Sequence, residues 1–307
     1  MRTVLVLGAT GFVGRRLVAE LLQAGHRVRC LVRDPQRAGG LADDRDVEVV
    51  RGDMLDADAV DRAAESVHAV YVVVHTLSKQ PHAQPGSDFM DVEQTGLRTV
   101  IDAATRHGVR RLLYVTSIGI SPEVRSSWGR GRARTEQMLF ASGLDVTVLR
   151  PGMIVGPGGD GFGMVARGAR SRVAVLLASR TQRFRTVAVD DLASALVQLL
   201  DDSRSYGRHY DVGSDDILTI DQMIDRAAAH LGRRPPLKLH LPRRAIAALA
   251  PLLERVTGMP KGAVAGFVGP GADADLVGDA TPIRPLLSHH PLTYDQAMAT
   301  ALATARR

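Results

Sequence analysis

Residues 3–14 read TVLVLGATGFVG: five residues of strand character, then glycines at 8, 11 and 14. Apolar residues recur with helical spacing from Phe12 to Ala24. The glycines thus stand between a strand and a helix, the context that makes such a motif informative. Gly8 permits a tight turn, Gly11 lets the backbone approach a pyrophosphate, and Gly14 permits close helix–sheet packing. The helix start adds N–H donors and partial positive charge. The stretch predicts a dinucleotide loop with contacts from Gly8, Thr10, Gly11, Phe12, Val13 and Gly14. A glycine-rich turn without a ligand is the competing reading.

Outward from the loop, short apolar runs alternate with amphipathic stretches. Candidate strands are 3–7, 27–32, 47–50, 69–74, 111–115 and 145–150, with helical patterns at 12–24, 57–66, 88–107 and 132–142. Gly25, Gly108 and Gly143 stand where helix C-terminal stops are expected. This alternation predicts an α/β fold, a Rossmann-type doubly wound parallel sheet over residues 1–150. After Arg150 the rhythm changes. A glycine-rich loop at 151–163 precedes a helix at 190–200 opened by an aspartate cap, a short strand end at 210–213 and a second capped helix at 219–232. Residues 236–242 read as a strand bounded by prolines, and 245–258 as a helix kinked or restarted at Pro251. Residues 151–307 are expected to form a smaller α+β substrate lobe, partly interleaved with the first domain. Residues 258–292 are rich in Gly and Pro and carry no assignable pattern.

The chain has 307 residues, 45% hydrophobic and 23% charged, enough for one large core or a core and a lobe. Its formal charge of +6 is carried almost wholly by arginine, since Lys79, Lys238 and Lys261 are the only lysines. With abundant Ala, Gly and Val, that skew reads as the codon composition of a GC-rich genome. The basic residues are spread along the chain without interleaved aromatics, so nucleic-acid binding is not expected. Cys30 is the single cysteine, which excludes an intramolecular disulfide and a Cys-rich metal site; no metal is expected. The apolar run before Gly8 is too short for a signal-peptide core, and no stretch approaches the roughly 18 apolar residues of a membrane span. Cytoplasm is the expected location.

The remaining strand ends refine the cofactor. An NAD binder carries an acidic residue about 20 positions after the glycine loop, on the ribose hydroxyls. Here the second strand runs into Arg33, followed by Asp34 and Pro35. An arginine at that tip suits a 2′-phosphate, with Arg37 in reach to assist, so NADP(H) is favoured over NAD(H). A solvated surface arginine, or Asp34 turned inward, is the alternative. At the third strand end, GDMLD (52–56) places Asp53 to accept from the adenine amino group and Met54 beside the ring, while Asp56 caps the next helix. At the fourth, Val74 and His75 pass the ribose, and His75 is either a catalyst or an ordinary packed histidine.

These motifs, with YVTSIG (114–119) and TEQMLFASGLDVTVLRPGMIVGPG (135–158), resemble the atypical, extended, NmrA-like NAD(P)H-binding group of the short-chain dehydrogenase/reductase superfamily. The resemblance covers roughly residues 1–230. It implies NADP above the carboxyl ends of the strands, with Thr116 and the Pro151, Gly152, Met153 segment beside the nicotinamide. It also implies a serine or threonine after the fifth strand, here Thr116 or Ser117, and a Tyr-x-x-x-Lys on the next helix. That pair is missing: none of Tyr71, Tyr114, Tyr206, Tyr210 and Tyr294 has a lysine four residues on. At the matching spacing stand Trp128, a donor only, and Arg132, which holds its proton.

The candidate catalytic residues are therefore Ser117, Arg132 and His75. Arg132 is read as a ribose or oxyanion ligand, or as half of a solvated helix pair with Glu136. Glu93 stands where extended members often have an asparagine that supports a proton relay. Arg125, Arg130, Arg132 and Arg134 together could receive an anionic substrate or a carbonyl oxygen, or form only a solvated surface, and Asp160 is a further acid. The leading expectation is an NADP-dependent oxidoreductase acting on a small carbonyl or ene substrate without the usual pair. The alternatives are a non-catalytic NADP(H) sensor or scaffold, and a non-redox isomerase or cyclase on the same fold.

Overall fold

The computed structural model describes residues 1–74, 89–125, 127–176, 179–241, 248–250, 252, 255 and 274–304. Its centre is a seven-stranded parallel sheet. The strands are β1 (Thr3–Leu7), β2 (Arg27–Val32), β3 (Val47–Arg51), β4 (Ala69–Val72), β5 (Arg111–Val115), β6 (Asp145–Pro151) and, later in the chain, β10 (Arg208–Val212). Across the sheet they run β10-β6-β5-β4-β1-β2-β3. The order reverses between β1 and β4, so a crevice opens at their carboxyl ends.

Burial on both faces explains the nearly unbroken apolar strands. Val4 and Val6 join one core with α1 (Phe12–Gln23) and α6 (Val189–Gln198). Leu5 and Leu7 point the other way, into a second core with α2 (Ala57–Ala64), α3 (Phe89–Arg106) and α4 (Ser127–Phe140). Asp56 caps α2 through Ala59 N at 3.1 Å. The helix pattern expected at 132–142 begins five residues earlier, which puts Arg132 inside α4 rather than at its start. Gly129 and Gly131 argue for a break on propensity, but close packing holds them in the helix. A Cβ on Gly131 would meet Met90 at 3.0 Å and one on Gly129 would meet Val124 at 2.6 Å.

Beyond β6, β7 (Met153–Val155), β9 (Arg183–Ala188) and β11 (Ile217–Thr219) form a small sheet, and β8 (Val173–Leu176) pairs β12 (Leu237–His240). They enclose a third core with α5 (Asp160–Arg170), α7 (Ile220–His230) and α8 (Tyr294–Thr304). Between β9 and β11 the chain returns to the main sheet, where β10 pairs β6. α6 has no aspartate cap: Ala188 is its N-cap, and Asp190 and Asp191 lie in the first turn. Asp191 turns away instead, accepting from Leu292 N at 2.7 Å and pairing with His289 at 3.1 Å. Thr219 caps α7 as expected, in a capping box with Gln222. The expected helix at 245–258 lies largely outside the described residues. Among the described residues no helix is long and apolar enough to cross a membrane.

Candidate cofactor cleft

At the carboxyl ends of β1 and β4 lies a cleft of about 800 Å³. Its floor is the glycine loop. Gly8 has φ +91°, and a Cβ there would stand 2.8 Å from the Val73 carbonyl oxygen. A Cβ on Gly14 would collide with the Gly8 carbonyl, so Gly14 serves helix packing and stays off the cleft wall. Gly11 is the N-cap of α1; no side chain caps the helix and its first turn holds no acid. The amides of α1 therefore face the cleft with their positive end uncompensated.

One end of the cleft is lined by Leu31, Val32, Arg33, Arg37, Gly52, Asp53 and Met54. Arg33 Nε stands 4.0 Å from the Asp53 carboxylate. Asp34 is spent locally, accepting from Gln36 N at 3.1 Å. Arg15, on α1, ties this end to the glycine loop by donating to Thr10 O at 3.2 Å and Arg37 O at 2.5 Å. Asp53 also accepts from Leu55 N at 3.0 Å, and Met54 packs against Gly96 of α3, where a Cβ would touch its side chain.

The other end is lined by Val74, Thr116, Ser117, Pro151, Gly152, Met153 and Ile154, with Asp160 and Gly161 of α5 across from them. Gly152 must be glycine, since a Cβ would collide with the Arg185 carbonyl. Thr116 Oγ1 is buried with no partner among the described residues, while Ser117 Oγ donates to Ile118 O at 3.0 Å. Phe12, the first residue of α1, seats its ring against Gly159, whose Cβ would lie 2.6 Å away, and so joins the glycine loop to the 156–159 loop. Of the residues expected to hold a cofactor, Gly8, Thr10, Gly11, Phe12, Val13, Arg33, Asp53, Met54, Val74, Thr116, Pro151, Gly152 and Met153 line this one cleft. His75 lies outside the described residues.

Arg132 is placed differently. It is 4% exposed and outside the described cleft lining. It donates to Tyr114 Oη at 2.8 Å and pairs with Glu93 at 3.0 Å, and Tyr114 donates to Glu93 at 2.7 Å. Burial opposes the Arg132 charge, but Tyr114, Glu93 and Glu136 outweigh it and hold the pKa above its ordinary value. Burial drives the Tyr114 phenol well above the usual range. Glu136 is also buried and takes Arg150 as a bidentate partner. The solvated helix pair is thereby corrected to two buried clusters. Sequence spacing along one helix could not show that α3 and β5 supply the partners. Nor do Arg125, Arg130 and Arg134 line the cleft; Arg130 donates to the Val124 and Arg125 carbonyls at 2.9 and 2.7 Å.

An open glycine cradle, an uncapped helix end and an orphaned hydroxyl fit a dinucleotide. Residues 8–203 match the model of a family described as NAD(P)H-binding. The chain belongs to this NAD(P)H-binding family. That match agrees with the sequence's resemblance to the atypical, NmrA-like NAD(P)H-binding group of short-chain dehydrogenases/reductases. The chain is 36% identical over 196 residues to ceramide reductase of Caulobacter vibrioides, covering 63% of this chain and 59% of that protein. It is 33% identical over 177 residues to sterol demethylase protein B of Methylococcus capsulatus, covering 50% and 52%. The chain thus spans little more than half the length of either relative. The fold resembles the NADPH-dependent quinone oxidoreductase of Escherichia coli at TM-score 0.74 and 20% identity, over 97% of this chain and 99% of that one.

Proposed function

We propose that the protein is an NADP(H)-dependent oxidoreductase acting on the carbonyl or ene group of a small, largely apolar substrate without a Tyr–Lys pair. The observation that carries this reading is the uncapped start of α1 at the centre of a cleft with arginines at one end and hydroxyls at the other. Arg33 and Arg37 would bind the 2′-phosphate, and the engagement of Asp34 with Gln36 N supports NADP(H) over NAD(H). The neighbour structure solved with NADPH agrees. When bound, the cofactor supplies or accepts a hydride.

Thr116 would donate to the cofactor and Ser117 to the substrate oxygen, and Pro151, Met153 and Ile154 would form the substrate's apolar wall. Residues from 151 onward, apart from α6 and β10, would act as the substrate lobe. Arg132 is a positioning residue that fixes α4 on β5; the proton comes from water or a substrate group. Arg125–Arg134 stand off the described lining, which favours an apolar over an anionic substrate, and two relatives named for a ceramide and a sterol point the same way.

The burial of Arg132 favours one second reading, a non-catalytic NADP(H) sensor. NADPH deuterated at its transferable position separates the two on a panel of apolar ketones and enones. Deuterium in the product supports the oxidoreductase. Tight NADPH binding with no transfer across the panel rejects it for the sensor.

A further inference from the structure

The strand pair β8–β12 has an unusual surface. Parallel sheets are normally covered on both faces. Here Ala174 and Leu176 point into the third core, but the opposite face shows Val173, Val175, Leu237 and Leu239 at 47, 55, 71 and 52% exposure. Register pairs Leu237 with Val173 and Leu239 with Val175, so the four form one apolar tile. They are half of the eight exposed large apolar side chains among the described residues, and such clustering marks an interaction surface.

The tile has a charged rim. Arg170 and Arg172 precede β8, and Arg233 and Arg234 precede β12; all four are exposed. Leu237 N donates to Arg172 O at 3.0 Å and Arg233 donates to Arg170 O at 2.7 Å, so the four meet at one end of the pair. None has an ion-pair partner among the described residues. The nearby acids are already engaged: Asp225 with Lys238 and Asp221 with His240.

We infer that this face seats the protein on an anionic phospholipid bilayer, with the tile among the acyl chains and the four arginines on the headgroup phosphates. Apolar side chains beside a cationic cluster are the combination that interfacial binding uses. A nucleic-acid backbone would satisfy the arginines but leave the tile uncovered. The inference goes beyond the oxidoreductase reading and does not depend on it.

The test is flotation of the full chain with vesicles of phosphatidylcholine alone or mixed with phosphatidylglycerol, with NADPH binding measured on the same samples. The protein should float with the mixed vesicles, less so at high salt, and poorly with phosphatidylcholine alone. L237S/L239S should reduce binding at least tenfold, and Arg172→Gln and Arg234→Gln about fivefold each, with NADPH binding unchanged. No association at low salt, or association indifferent to these variants, overturns the inference. So does a wild-type dimer, seen by light scattering, that L237S/L239S dissolves without affecting flotation. Flotation without NADPH binding would leave it standing and reject the oxidoreductase reading alone.

Discussion

At Gly14 a single methyl group is too much, because it would occupy the place of the Gly8 carbonyl. Gly14→Ala should cost about 1–3 kcal/mol in urea unfolding and weaken NADPH binding by displacing the loop. Thr116 makes a prediction with two signs. Its hydroxyl is buried and unpartnered, so Thr116→Val should stabilise the cofactor-free protein by about 1 kcal/mol. The same change should lower NADPH affinity; thermal melts with and without NADPH read both effects. Gly14 was legible in the sequence because a strand–glycine–helix passage allows few geometries, and Thr116 through the family resemblance at the end of β5. Arg132 was not: its partners Glu93 and Tyr114 lie 39 and 18 residues away along the chain, and only the stacking of α3 and α4 on β5 brings them together.

Among the elements, α4 is held by that buried cluster despite its two glycines. Removing one charge leaves the other buried: Arg132→Met should cost about 3–5 kcal/mol. Joined to Glu93→Leu it should recover most of the loss, as urea midpoints would show. β10 carries one pH-dependent group, as does the turn before β2, where burial also lowers the His26 pKa. Burial, then Arg150, pushes the His209 pKa below 6.5. The unfolded chain takes up that proton more readily, so stability should fall as pH drops from 6.5 toward the folded value. Denaturation midpoints across that range should fall less steeply in His209→Gln, with His26 supplying the remaining slope. Periodicity revealed β1 to β6 nearly residue for residue, but not that 208–212 rejoins the main sheet, since register partners are not written locally. α8 was missed although its start carries a signal: Thr293 and Gln296 exchange hydrogen bonds at 2.9 and 3.3 Å, the pattern of a capping box.

For the whole molecule, the return of the chain through β10 couples the main sheet to the strands before and after it. Fluorescence of Trp128, the one tryptophan, and far-ultraviolet circular dichroism should therefore report one coincident unfolding transition; two separated transitions would show that the lobes fold independently. The central proposal is narrower: an arginine-tipped β2 and an uncapped α1 would make this NAD(P)H-binding cleft prefer NADP(H). Calorimetric titration of NADPH and NADH into the wild type and Arg33→Asp tests it most directly. The wild type should bind NADPH at least tenfold more tightly than NADH, and the variant should lose that preference while keeping its NADH affinity. Equal affinities in the wild type, or an equal loss of both cofactors in the variant, would contradict the account.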